Sequence, residues 1–99
     1  MDKIAISIII VNYNTGNLTL DCLHSVYEKT SDVSYEIIVV DNASEDGSSQ
    51  LIRATFKNIT LIENQSNIGF GGANNMGAEV ATGKYLLMLN PDTILLTIL

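Results

Sequence analysis

The sequence has no tryptophan, one cysteine, one proline and one histidine, and each shortage removes a class of protein. With Cys22 alone no internal disulfide can form, which favours a reducing compartment. No Cys/His set for a zinc site can be assembled, and His24 has no partner for a Ser-His-Asp or Cys-His centre. Lys and Arg number five against eleven Asp and Glu. The five are scattered (Lys3, Lys29, Arg53, Lys57, Lys84), so binding of nucleic acid through phosphate contacts is not expected. No apolar run reaches the ~20 residues that span a bilayer. "IAISIIIV" near the start and "ILLTIL" at the end are both too short, and no targeting segment is visible. Sequons begin at Asn17, Asn42, Asn58 and Asn64, and without a secretory signal they read as chance in an Asn-rich chain.

What is present suits one small folded domain. The chain has 99 residues, 46% hydrophobic and 16% charged, with a formal net charge of −6. That composition fits an α/β domain and not a disordered tail, with a core of thin margin at this length. An acidic surface is compatible with recruiting a divalent cation, although solubility alone explains the charge.

Hydrophobic periodicity alternates along the chain. Ala5 to Val11 is a continuous, β-branched run of the kind buried on both faces of a parallel sheet. After the turn cluster "NYNTGN", Leu18, Cys22 and Val26 recur at helical spacing with Leu23 and Tyr27 alongside, which predicts a helix capped near Asn17 and ending around Lys29. Cys22 falls inside that apolar pattern and reads as core. "YEIIVV" is a second buried strand ending at Asp41, and "DNASEDGSS" supplies turn and N-cap chemistry. A second helix is expected from Gly47 or Ser48 to Phe56, a short strand over "ITLIE", a third helix over about Gly72 to Ala81 with Gly83 as its stop, and a fourth strand over "YLLML". The order β-α-β-α-β-α-β predicts a Rossmann-like parallel sheet with right-handed crossovers.

In such sheets ligands sit beyond the carboxyl ends of the strands, where strand order reverses. Asn12-Tyr13-Asn14 follows strand one, Asp41-Asn42 follows strand two, and Asn90-Pro91-Asp92 follows strand four. If the order is 3-2-1-4, these ends lie side by side, with strands about 4.8 Å apart. Each also has a plain reading as turn chemistry, and what favours a site is that all three fall at one edge. Gly69, Gly71 and Gly72 precede a helix, where a phosphate can bind or where glycine merely shapes the turn. The loop is no Walker motif, since no G-K-S/T follows, and no dinucleotide fingerprint, which belongs after the first strand. His24 lies in the first helix, away from these groups.

Taken together, "ISIIIVNYN", "IIVVDNASEDGS" and "NIGFGGANNMGAEVATGKYLLMLNPDT" resemble the nucleotide-binding half of a family 2 glycosyltransferase of the GT-A fold, over nearly the whole chain from Ile4 to Thr93. "LNPDT" and "NIGFGGANN" are most similar to the rhamnosyltransferase-like branch. The resemblance implies that Val11, Asn12, Tyr13 and Asp41 hold the base and ribose of a nucleoside diphosphate sugar. It implies that the loop and helix around Gly69, Gly71 and Asn74 lie against the nucleotide. Asn90-Pro91-Asp92 then stands at the D-x-D position, with Asp92 as ligand of a Mg²⁺ or Mn²⁺ ion bridging the diphosphate, whose growing negative charge such an ion stabilises.

The chain departs from the family pattern in three places. Asn90 replaces the first aspartate of D-x-D, and Asn74 stands where the family usually has arginine. No carboxylate follows Asp92 to act as general base. The expectation is therefore a domain spanning residues 1–99 that binds the donor, with the base and the saccharide or lipid-linked acceptor site belonging to a full-length form. Transfer with inversion is expected of that form, and little or no turnover of this chain alone. The expected location is cytoplasmic, including the inner face of the membrane. The apolar end, Ile94 to Leu99, is expected to pair as a homodimer or exchanged strand. A non-catalytic nucleotide-binding module is the competing reading. A nucleotidyltransferase is disfavoured, because "NYNTGNL" offers no basic residue for a triphosphate.

Overall fold

The computed structural model describes residues 3–96. Strands and helices alternate as β1 (Ile6–Asn12), α1 (Gly16–Lys29), β2 (Tyr35–Asp41), α2 (Ser48–Thr55), β3 (Thr60–Glu63), α3 (Phe70–Val80) and β4 (Tyr85–Leu89). The four strands form one sheet in the order β3-β2-β1-β4, and every pairing is parallel. β1 runs in register with β2 from Ile6 opposite Tyr35 to Asn12 opposite Asp41, and with β4 from Ile6 opposite Tyr85 to Ile10 opposite Leu89.

The continuous apolar runs of β1 and β2 are explained by their central position. Successive side chains point to opposite faces, and each face carries its own core. On one face Ile8, Ile10, Ile37 and Val39 pack with Cys22, Leu23 and Val26 of α1 and Ile52 of α2. On the other, Ile9, Val11, Ile38 and Val40 pack with Ala73 of α3. Burying each such Ile, Leu or Val contributes roughly 1.5–3 kcal/mol, so these two strands are the backbone of the domain's stability. The edge strands β3 and β4 are only partly covered.

The amino end of the sheet is tied by one carboxylate. Glu36 Oε2 accepts hydrogen bonds from Ser7 Oγ (2.6 Å), Thr82 N (2.6 Å) and Thr82 Oγ1 (2.9 Å), joining β1, β2 and the turn before β4. This revises the reading of Gly83. The third helix has ended by Val80, and Gly83 serves a close approach: a Cβ there would lie 2.6 Å from the Ser7 backbone nitrogen.

Two helix boundaries and one helix face also differ from expectation. α1 begins at Gly16 with Thr15 as its N-cap, not near Asn17, and the Thr15 hydroxyl donates to Asn12 instead of capping. α3 begins at Phe70, so Gly71 and Gly72 are helical and only Gly69 has the special backbone. In α1, Leu18 and Tyr27 are exposed while Thr19 and Ser25 are buried. Thr19 and Ser25 face inward, where Thr19 Oγ1 donates to Asn12 Oδ1 and Ser25 Oγ accepts from Leu95 N.

Of the apolar end, Thr97–Leu99 lies outside the described residues. Leu95 packs against the α1 face of the core and its backbone N–H donates to Ser25 Oγ (3.1 Å), whereas Ile94 and Leu96 are exposed. Among the described residues no helix is long and apolar enough to cross a membrane.

Candidate nucleotide-binding crevice

The three strand ends do meet, but their polar side chains divide into a sealed group and an open one. Asn12 is fully buried and opposite Asp41. Its Nδ2 donates to Asp41 Oδ1 and to Ser48 Oγ, each at 2.7 Å. Its Oδ1 accepts from Thr19 Oγ1 (2.6 Å) and Thr15 Oγ1 (3.0 Å). Asp41 also accepts from Ser44 Oγ (2.6 Å) and Ser44 N (3.0 Å), which closes the turn after β2. Every polar atom of Asn12 is thus paired within the protein, as a buried amide requires. Asn12 and Asp41 are buried and are not among the residues that line the crevice.

The open group surrounds a cavity of about 510 Å³ between the ends of β1 and β4, the point where strand order reverses and a size typical of small-ligand sites. Its apolar wall is Val11, Tyr13, Leu18, Phe70 and Pro91. Tyr13, Leu18 and Phe70 are each about half exposed, so their apolar surface faces this space and not the core. Its polar groups are Thr15, Asn42, Asn67, Asn90 and Asp92, together with Gly69. None of the described lining residues is basic, and Asp92 is the one carboxylate among them.

Asn42 sets the position of the glycine loop. Its Nδ2 donates to Gly69 O (3.1 Å), and its Oδ1 accepts from Asn64 Nδ2 (3.0 Å). Gly69 has φ 86 and ψ 164, a conformation essentially confined to glycine. Gly71 and Asn74 sit further along α3 and do not line the cavity. Sequence reasoning reached Asn42 only as the neighbour of Asp41 and Phe70 only as part of the glycine loop and helix, and it missed Thr15, Leu18 and Asn67. The signal for Leu18 was its place in the first turn of a helix that starts at the site.

The Asn90-Pro91-Asp92 segment is a turn closed by Thr93 N donating to Asn90 O (3.0 Å). The same carbonyl receives a long contact from the Cys22 thiol, Sγ to O 3.9 Å. Burial, and then the Asp92 carboxylate, push the Cys22 thiol up to about 11, so it stays protonated and able to donate.

The donor set tests whether a cation fits. Among the described residues no three His, Cys, Asp or Glu side chains come together as a ready-made metal centre. Asp92 offers one exposed carboxylate, and Asn90 beside it a neutral oxygen. That set suits an ion of the Mg²⁺ type, which binds through one or two carboxylates and takes its other ligands from phosphate and water. A larger hollow, about 820 Å³, opens at the opposite end of the sheet against Lys3, Ile4, Ala5, Thr82 and Lys84. It lies away from the strand ends that carry the converging amides and Asp92, so the smaller cavity is the candidate site.

A parallel sheet in this order, with a crevice at the β1–β4 switch point, is an α/β fold of the kind seen in GT-A glycosyltransferases. The chain belongs to glycosyl transferase family 2, whose model matches residues 7–97. It is 30% identical to the glycosyltransferase GlyG of Streptococcus pneumoniae over 90% of this chain and 30% of that protein. Among solved structures it is similar to the mannosyltransferase PcManGT of Pyrobaculum calidifontis in complex with GDP-Man and Mn²⁺, at TM-score 0.82 and 27% identity, over 95% of this chain and 29% of that one. TarS of S. aureus shares the fold, at TM-score 0.79 and 24% identity, over 92% of this chain and 28% of that one. The chain therefore spans about a third or less of the length of these proteins.

Proposed function

We propose that residues 1–99 form the donor-binding half of a glycosyltransferase domain, holding a nucleoside diphosphate sugar in the β1–β4 crevice. The reaction served is transfer of the sugar to an acceptor hydroxyl with inversion. The observation that carries this reading is the chemistry of the lining: an aromatic and apolar wall, several amides and, among the described residues, one carboxylate and no basic residue. A diphosphate placed there lacks a protein cation, and Asp92 with Asn90 is positioned to hold a Mg²⁺ or Mn²⁺ ion between protein and phosphate. When bound, such an ion supplies Lewis-acid stabilisation of the leaving diphosphate.

Val11 and Tyr13 are proposed to pack against the base and ribose, Gly69 to allow close approach of the loop, and Asn90 to contact the diphosphate. Asn12 and Asp41 act from beneath, fixing the turn at Ser44 and the start of α1. Gly71 and Asn74 support the site through the first turns of α3. The rhamnosyltransferase-like assignment rests on "LNPDT" and "NIGFGGANN" alone. The acceptor site, the general base and any association with the inner membrane face are assigned to a longer form. A homodimer through Ile94 to Leu99 rests on the exposure of Ile94 and Leu96, and a monodisperse monomer by light scattering at high concentration removes it.

Calorimetric titration with UDP, dTDP and GDP, each with and without Mn²⁺, tests the donor site. Metal-enhanced binding of at least one nucleotide is expected, without sugar transfer by this chain. No metal-dependent binding at millimolar nucleotide contradicts the reading.

A further inference from the structure

We infer that Ser25 and Cys22 of α1 are positioning residues that fix the Asp92 turn for cation binding, an inference that rests on the donor-site reading above. The segment from Asn90 to Leu95 leaves the sheet beyond β4, the edge strand, so the sheet itself holds it from one side only. Its further attachments are to α1. Cys22 Sγ approaches Asn90 O, and Ser25 Oγ accepts the Leu95 backbone N–H at 3.1 Å.

These contacts bracket Asp92 in the chain, two residues before it and three after. Ser25 is itself oriented: its hydroxyl hydrogen goes to Cys22 O at 2.7 Å, which leaves the oxygen lone pairs for Leu95. Both side chains are buried, Cys22 completely and Ser25 at 7% exposure. A serine inside an apolar helix face is costly unless its hydroxyl is used, and here it is used twice. The helix thus carries a polar clamp on the same face that closes the core.

The consequence is specific to the cation. A lone carboxylate contributes little unless it is held where the phosphate-bound ion will sit, since ordering an exposed side chain and its turn at the moment of binding costs affinity. Asn90, Pro91 and Asp92 form one wall of the crevice, whereas Tyr13 lies in the turn after β1 and Phe70 starts α3. Releasing the clamp therefore loosens the cation wall and leaves the nucleotide wall in place.

The test uses the whole chain and two readouts. In Ser25→Ala, amide hydrogen exchange at Leu95 is expected to quicken about ten-fold, because its acceptor is gone. The gain in UDP or GDP affinity given by Mn²⁺ is expected to fall about five-fold, the worth of one hydrogen bond, with metal-free affinity changed by less than about two-fold. Ser25→Thr keeps the hydroxyl and is expected to restore both readouts. Cys22→Ala is expected to lower the Mn²⁺ gain in the same direction. An unchanged Mn²⁺ gain in Ser25→Ala overturns the inference, and so does an equal fall with and without metal, which marks a general structural effect. If the wild type shows no Mn²⁺ gain, the donor-site reading fails and the positioning role fails with it; exchange at Leu95 then reports only a structural clamp.

Discussion

The ends of β2 and β4 carry similar sequence signatures, an aspartate within two residues of an asparagine, and the fold uses them in opposite ways. Asp41 is 3% exposed and shares its oxygens among Asn12 and Ser44. Asp92 is exposed in the wall of the crevice. The difference follows from strand position. β2 is central, and helices on both faces bury its end; β4 is an edge strand followed by a turn. A carboxylate at a central strand end becomes part of the frame, and one at the edge stays free for a ligand.

The largest test of that contrast is to remove each member of the pair. Asn12→Ala deletes the donor to Asp41 and Ser48 and the acceptor for Thr15 and Thr19, leaving a carboxylate buried without its neutral partner. It should lower stability by about 3 kcal/mol, whereas Asp92→Asn should stay within about 0.5 kcal/mol, both read from urea midpoints. Equal losses would erase the distinction between frame and ligand.

The amino end of the sheet is a second locked region, and it sharpens the comparison. Gly83→Ala places a Cβ 2.6 Å from the Ser7 backbone nitrogen. Backbone must shift to admit it, so a loss of about 2 kcal/mol is expected in the same urea assay, with Mn²⁺-dependent nucleotide affinity unchanged.

A smaller effect is expected where the frame is strained. Ala43 has φ 65, a left-handed conformation in the turn closed by Asp41. Ala43→Gly should raise stability by roughly 0.5–1 kcal/mol, seen as a higher melting temperature.

The smallest effect is read most clearly as a pH slope. Partial burial of Glu36 disfavours its charge, but hydrogen bonds from Ser7 and Thr82 outweigh that and hold its carboxyl below the ordinary value of 4.5. A folded-state value below the unfolded one means that the contribution is complete above about pH 4.5 and is lost as the pH falls below it. Glu36→Gln should remove that contribution, lowering stability modestly above about pH 4.5 and flattening the acid side of the profile. A profile as steep as wild type would show that Glu36 is not the group responsible.

The element order and the strand order were legible because β1 and β2 are apolar without alternation, and only a sheet covered on both faces accommodates that pattern. The meeting of Asn12, Asp41 and Asn90-Pro91-Asp92 at one edge followed from the topology. What the periodicity did not carry was the direction of side chains that have partners far along the chain. Leu18 and Tyr27 fit an apolar helix stripe, yet Thr19 and Ser25 take the inside because Asn12 and Leu95 meet them there. Likewise, Gly83 reads locally as a helix stop, and its real constraint is Ser7, on the first strand.

The most direct test of the central claim is paramagnetic broadening of backbone amide NMR signals by Mn²⁺ in the presence of saturating nucleoside diphosphate. The account predicts broadening centred on Asp92 and Thr93, extending to Tyr13 and Gly69 across the crevice, and absent from Thr82 and Gly83 at the far end of the sheet. Broadening centred on the hollow beside Lys3 and Lys84, or spread evenly over the acidic surface, would contradict it.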